Sequence, residues 1–203
     1  MAAAFDSTDE EDRLAQHEIQ PLKVDKLELP HGLFAGRGSV FISGLPGCWF
    51  RNVHQDLRQD MHELKSLGIT DAIILLTKNE LRKYRAPSLF SMYEEYNILA
   101  HHHPWTDGTA PSLEFTITLL SKVVELLNAS RSVLIHCMCG FGRTGVLGAC
   151  LLQWMDDDLT PLSSVSLIRS IRSTRAIQTV AQYNFVMDFR ECLHEERERS
   201  VSR

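Results

Sequence analysis

No stretch of this 203-residue chain is apolar over the roughly 20 residues a membrane-spanning helix needs. A spanning segment is therefore not expected. The first residues hold no basic patch followed by an apolar one, so no secretory leader is expected either. Cysteine is sparse: five residues, an odd number without regular spacing, make no disulfide framework. Without a leader they read as reduced thiols in the cytoplasm or nucleus. Positive charge is in deficit, with 21 Lys and Arg against 26 Asp and Glu and a net charge of −5. Nucleic acid and anionic membranes reward clustered Lys and Arg, so neither is expected as a partner. No internal repeat or long linker is visible.

What is present suits one globular domain, with 44% hydrophobic and 23% charged residues. Residues 1–20 are polar and acidic and read as a mobile tail, with Ser7 and Thr8 in an acidic setting open to phosphorylation. Residues 21–196 read as the folded domain and 197–203 as a C-terminal tail. Residues 40–42 and 71–77 are expected strands, as are those near 98–102 and 132–135. Between them lie expected helices: one on Leu57, Met61, Leu64 and Leu67 ended by Gly68, a short one over 87–96, and a long one whose buried face is Leu113, Ile117, Leu120, Val124 and Leu127. A nearly all-apolar helix over 146–155 should be buried. Thr160-Pro161 opens another helix, and Thr179 caps the last, which carries Tyr183, Val186 and Phe189 inward. Such alternation predicts an α/β domain with a central, mostly parallel sheet flanked by helices.

The richest segment is His136-Cys-Met-Cys-Gly-Phe-Gly-Arg-Thr-Gly145, between a strand and a helix. Backbone N–H groups of Met138, Cys139, Gly140, Phe141, Gly142 and Arg143 can turn inward around a phosphoryl group. Gly140 and Gly142 are expected to supply unusual φ values. The following helix aims its positive end at the same point, and the Arg143 fork can grip two phosphoryl oxygens. Donors and positive charge of this kind favour the anionic form of a cysteine, so Cys137 reads as a thiolate nucleophile. Thr144 is expected to donate its hydroxyl to that sulfur, and His136 to orient the loop from behind. A buried structural cysteine beside a helix-start arginine is the bland alternative; the glycines, His136 and Thr144-Gly145 weigh against it.

An alkoxide leaving group must be protonated as its P–O bond breaks. Asp107 stands 30 residues before Cys137 in Pro104-Trp-Thr-Asp-Gly-Thr-Ala-Pro111, a shaped loop that fits a general acid. These residues together resemble the cysteine-dependent protein phosphatases of the dual-specificity branch, with their pattern of His-Cys, five residues, then Arg-Ser/Thr. Further segments resemble the cyclin-dependent-kinase-associated phosphatase family within it. They are Gly44-Leu-Pro-Gly-Cys-Trp-Phe50, Glu80-Leu-Arg-Lys-Tyr-Arg85, His101-His-His-Pro104 and Ala176-Ile-Gln-Thr-Val-Ala-Gln-Tyr-Asn184, and the likeness spans about residues 5–190. The resemblance implies a phosphothreonine phosphatase acting on the activation segment of a cyclin-dependent kinase, with docking partly through the C-terminal helical region. It matches Cys137, Arg143 and Asp107 to nucleophile, phosphate clamp and general acid. Tyr and Gly commonly follow the nucleophile in that family where this chain has Met138 and Cys139, and a Gly precedes Ala-Ile-Gln where this chain has Arg175. These departures bear on substrate preference.

No cofactor or metal is called for. Consecutive residues on a strand point to opposite faces, so His101, His102 and His103 do not converge on one ion. Gln178 and Gln182 are within reach of the site, and Gln182 is a candidate for positioning the hydrolytic water. Arg82, Lys83 and Arg85 form a small basic cluster. Cys139 is a candidate redox partner of Cys137 or a mere backbone donor. A monomer is expected. Two rival functions stand beside the protein phosphatase: hydrolysis of a phosphoinositide or RNA 5′-phosphate, against which the loop's lack of extra Lys or Arg argues, and inhibition of a kinase by docking alone.

Overall fold

The structure, a computed structural model, describes residues 19–29 and 38–201. The acidic segment 6–12, with Ser7 and Thr8, lies outside the described residues. Strands β1 (Val24–Leu27), β2 (Val40–Ser43), β5 (Asp71–Ile74), β6 (Leu99–His102) and β7 (Val133–His136) form one sheet in the order β1-β2-β7-β5-β6. Only the β1–β2 pair is antiparallel. The central strands β2, β5 and β7 are buried at every position, as fits strands covered on both faces. Their alternation then sorts side chains between two cores. Val40, Ile42, Ile73 and Ile135 face one; Phe41, Ala72, Ile74 and Leu134 face the other.

The first core is closed by helices α4 (Leu113–Asn128), α5 (Arg143–Met155), α6 (Pro161–Ile171) and α7 (Val180–Val201). The second is closed by α1 (Leu57–Ser66), α2 (Lys78–Lys83) and α3 (Leu89–Glu95). Helix α5 packs on β2, β7, α4, α6 and α7, and so is buried all round apart from Trp154. Expected punctuation is in place. Gly68, at φ +73°, follows α1, Thr160 accepts the Ser163 N–H, and Thr179 accepts the Gln182 N–H.

Four features differ from expectation. The strand predicted over 71–77 ends as a strand at Ile74, and Thr77 instead caps α2, a helix with no counterpart in the sequence reading. The buried stripe of α4 is Leu119, Leu120, Val123, Leu126 and Leu127, with Leu113, Ile117 and Val124 at its margin. The helix is apolar over a wide arc, so packing chose among several stripes. Strand β1, short and charged, and the two-residue strands of the hairpin β3 (Trp49–Phe50) and β4 (Val53–His54) are too brief to announce themselves. Residues 197–201, expected as tail, continue α7.

Because β2, β5, β6 and β7 run parallel, the segments after their carboxyl ends gather at one end of the sheet. They are the Gly44–Cys48 turn, residues 75–77, the Asp107 loop and the cysteine loop. Ligands of open α/β sheets bind at that end.

Candidate active site

Strand β7 delivers His136 to the sheet's carboxyl end, and α5 begins at Arg143 after the Gly142 N-cap. Among the described residues no side chain caps α5, so its first N–H groups stay open. The intervening loop is gripped from outside through its carbonyls. Met138 O accepts the Leu45 N–H at 2.9 Å, Cys139 O accepts Arg172 Nη2 at 3.0 Å, and Phe141 O accepts the Ile177 N–H at 3.0 Å. The N–H groups of residues 138–142 meet no backbone acceptor among the described residues. Carbonyls out and N–H groups unpaired is the arrangement of an anion-binding nest.

The two glycines work differently. Gly140 has φ +72°, and a Cβ there would fall 2.3 Å from Ser43 O, so no other residue fits without backbone movement. Gly142 corrects the expectation: its φ is −74°. It is needed for closeness, since a Cβ would meet Gln178 Oε1 at 2.8 Å and Gln182 Nε2 at 3.2 Å.

Cys137 is 3% exposed at the base of the loop. His136 behind it is fully buried, with Nε2 3.0 Å from the Tyr93 hydroxyl. Burial, aided by the Arg143 charge, pushes its pKa down to about 3, so the ring is neutral at physiological pH. Thr144 is buried in the first turn of α5, and its hydroxyl has no partner among the described residues, the Cys137 sulfur included. The expected Thr144-to-sulfur hydrogen bond is thus not formed here.

Arg143 is wholly buried. Its Nη1 donates to Leu75 O, Trp105 O and Glu80 Oε2, and its Nη2 to Glu80 Oε1 at 2.6 Å. Nη2 also lies 3.3 Å from Asp107 Oδ1, while Nε has no partner among the described residues. Burial opposes the charge, but Glu80, Cys137 and Asp107 together raise the guanidinium pKa above its ordinary value. Glu80 went unrecognised in the sequence as part of the site. Its carboxylate also accepts the Thr77 N–H at 2.8 Å, while Thr77 Oγ1 accepts the Glu80 N–H, a capping box. The Thr77-x-x-Glu80 spacing was the available signal. Burial disfavours the carboxylate, yet Arg143 and the Thr77 N–H hold its pKa below the usual range.

Asp107 has its side chain 60% exposed on the loop after β6. That loop is stitched to the site at both ends. Trp105 O binds Arg143, Gly108 O accepts the Thr179 hydroxyl at 2.9 Å, and Thr109 O accepts Gln182 Nε2 at 3.4 Å. Gln182 is buried and its Oε1 accepts the Gln178 N–H, so this pair brackets Gly142 from above.

The three histidines diverge: His101 binds Asp71, His102 binds Leu76 O at 2.7 Å, and His103 lies edge-on to Phe115. Among the described residues no group of three or more His, Cys, Asp or Glu is placed to hold a metal ion. No described helix is long and apolar enough to cross a membrane. In the basic cluster, Lys83 lies over the Phe50 and Tyr84 rings and Arg82 lies near Asn79.

This geometry has counterparts in known proteins. A family model described as Cyclin-dependent kinase inhibitor 3 (CDKN3) matches residues 1–165. Proteins named cyclin-dependent kinase inhibitor 3 from Sus scrofa and Homo sapiens are 38% and 36% identical to this chain over 212 aligned residues, covering 100% of it and 97% of each relative. Among solved structures, a kinase-associated phosphatase with its catalytic-site cysteine replaced by serine matches with a TM-score of 0.78 and 34% identity, over 86% of this chain and 97% of that one. The fold is the α/β fold of the dual-specificity phosphatases, and the chain belongs to the cyclin-dependent kinase inhibitor 3 family.

Proposed function

We propose that this chain is a cysteine-dependent protein phosphatase that removes phosphate from a phosphothreonine in the activation segment of a cyclin-dependent kinase. The observation that carries the reading is the meeting of Cys137, the unpaired loop N–H groups and the Arg143 Nε at one helix start. The family supports the choice of substrate, since its relatives are named as an inhibitor of cyclin-dependent kinase and as a kinase-associated phosphatase.

In the mechanism, the Cys137 thiolate attacks phosphorus while the N–H groups of residues 138–143 hold the phosphoryl oxygens. Arg143 presents Nε together with Nη2, which exchanges Asp107 for a phosphoryl oxygen. Asp107, freed from that contact, protonates the leaving threonine oxygen. The cysteinyl-phosphate is then hydrolysed: Asp107 takes a proton from water that Gln182 positions, and the Thr144 hydroxyl, unpartnered among the described residues before the reaction, turns to donate to the departing sulfur. Neutral His136 keeps the Cys137 backbone in register. No cofactor enters these steps. The protein acts as a monomer in the cytoplasm or nucleus, with the phosphorylated kinase as partner.

The test is phosphate release from an activation-segment-phosphorylated cyclin-dependent kinase by wild type and Cys137→Ser, with metal chelated throughout. Release by the wild type alone is expected. Release by neither, with a phosphoinositide or aryl phosphate still cleaved by the wild type, would keep the chemistry and overturn the substrate.

A further inference from the structure

An open cleft of about 270 Å³ runs beside the cysteine loop, between Met138, Cys139 and Phe141 on one side and residues 20–23 on the other. Two arginines after α6 flank the Phe141 ring, with guanidinium carbons 5.5 Å (Arg172) and 5.1 Å (Arg175) from its centroid. They are used differently. Arg172 is buried and committed, to Asp25 at 2.7 Å, to Lys23 O at 2.9 Å and to Cys139 O. Arg175 is exposed, and its guanidinium makes no ion pair or hydrogen bond with any described residue. Lys23, the other cation on the cleft, is answered by Asp25 at 3.3 Å.

Arg175 is nevertheless held in place. The cation–π contact with Phe141 restrains its guanidinium beside the cleft, with its N–H donors uncommitted among the described residues and so available to a carboxylate. The next two residues are tied down by the Ala176 N–H to Ser173 O at 2.8 Å and the Ile177 N–H to Phe141 O. Ile177 has φ +61°, a left-handed conformation costly for a β-branched residue and kept only where surroundings enforce it. Such enforced geometry beside a catalytic loop preorganises whatever it carries. The field of Arg175 reaches the loop: burial raises the Cys139 thiol pKa, and Arg175 and Arg172 act against that rise.

We propose that Arg175, with the adjoining cleft, is a second anion subsite. It reads an Asp or Glu side chain of the substrate within a few residues of the phosphorylated one. This deepens the protein-phosphatase reading and rests on it. One unpaired guanidinium suits one carboxylate, whereas a dianionic phosphate calls for more than one free cation.

The experiment compares kcat/KM on phosphothreonine peptides that differ only by Glu or Gln at one position, scanned over three residues either side. Wild type, Arg175→Gly and Arg175→Glu are used, each normalised to its own turnover of an aryl phosphate. In at least one register the wild type should prefer Glu by about three- to ten-fold. That preference should vanish in Arg175→Gly, reverse in Arg175→Glu and shrink with added salt. A wild type indifferent at every register, or a preference kept in Arg175→Gly, overturns the inference alone. A second phosphothreonine strongly preferred over Glu in an Arg175-dependent way overturns the carboxylate assignment. Failure to cleave any peptide, with aryl phosphate still cleaved, overturns the protein-phosphatase reading itself and the inference with it.

Discussion

Of the five N–H donors of a guanidinium, Arg143 commits both terminal nitrogens to Glu80, Asp107 and two carbonyls and keeps only Nε free. The fork is thereby aimed before any substrate arrives. A buried pair of this kind is kept for orientation more than for stability. Glu80→Leu alone should cost roughly 3–5 kcal/mol, because it strands a buried charge. Arg143→Met combined with Glu80→Leu should recover much of that loss while hydrolysis stays abolished. Urea denaturation of the two variants, read beside activity, decides it. Asp107→Asn should slow phosphothreonine hydrolysis by about 10²-fold, and an aryl phosphate, whose leaving group needs less protonation, by less. Equal losses in steady-state rates on both substrates would count against Asp107 as the acid. The residues of the cysteine loop were legible because their chemistry is local. Glu80, Tyr93 and Arg172 were not, because each acquires its role from a segment more than thirty positions away.

At the scale of elements, turns are fastened to the sheet's end by buried ionisable groups. Asp60, on α1, accepts the Gly47 N–H at 2.7 Å and so holds the turn that leads from β2. Burial pushes its pKa up to about 6, against the pull of that N–H. The folded state therefore binds a proton that the unfolded chain has released, and stability contributed by Asp60 falls as pH rises from about 4 to 6. His136 has the opposite sign. Its pKa falls from 6.5 to about 3, so stability is lost as pH drops below 6.5. The two slopes oppose each other between about 4 and 6. In Asp60→Asn the His136 slope stands uncovered, and the urea midpoint should fall more steeply on acidification than in the wild type. The difference should be on the order of 2–3 kcal/mol across the window. Elements with strong local signals were readable: Gly68 ends α1, Pro161 opens α6, and Thr179 starts α7. Helix α2 was missed although its capping box was in plain sequence, because the apolar run before it reads equally well as a strand reaching Thr77.

For the whole molecule, α5 is at once the centre of the first core and the bearer of Arg143 and Thr144. Helix α7 covers it with Val186 and Phe189 while lending Gln182 to the site. Phe189→Ala should cost about 3–5 kcal/mol, measurable in urea, although the residue lies far along the chain from Cys137. The central sheet flanked by helices could be foreseen from strand–helix alternation, whereas which stripe of α4 turns inward depended on neighbours that only the assembled fold supplies. One consequence concerns synthesis. A chain that has left the ribosome only through α5 already holds Glu80, Asp107, Cys137 and Arg143, but lacks Arg172 to grip Cys139 O and Gln182 to brace the acid loop. Domains fold as units as they emerge. Dephosphorylation therefore starts only once Arg172 and the first turns of α7 have emerged, and a nascent product that stops after α5 is inert rather than an unregulated phosphatase.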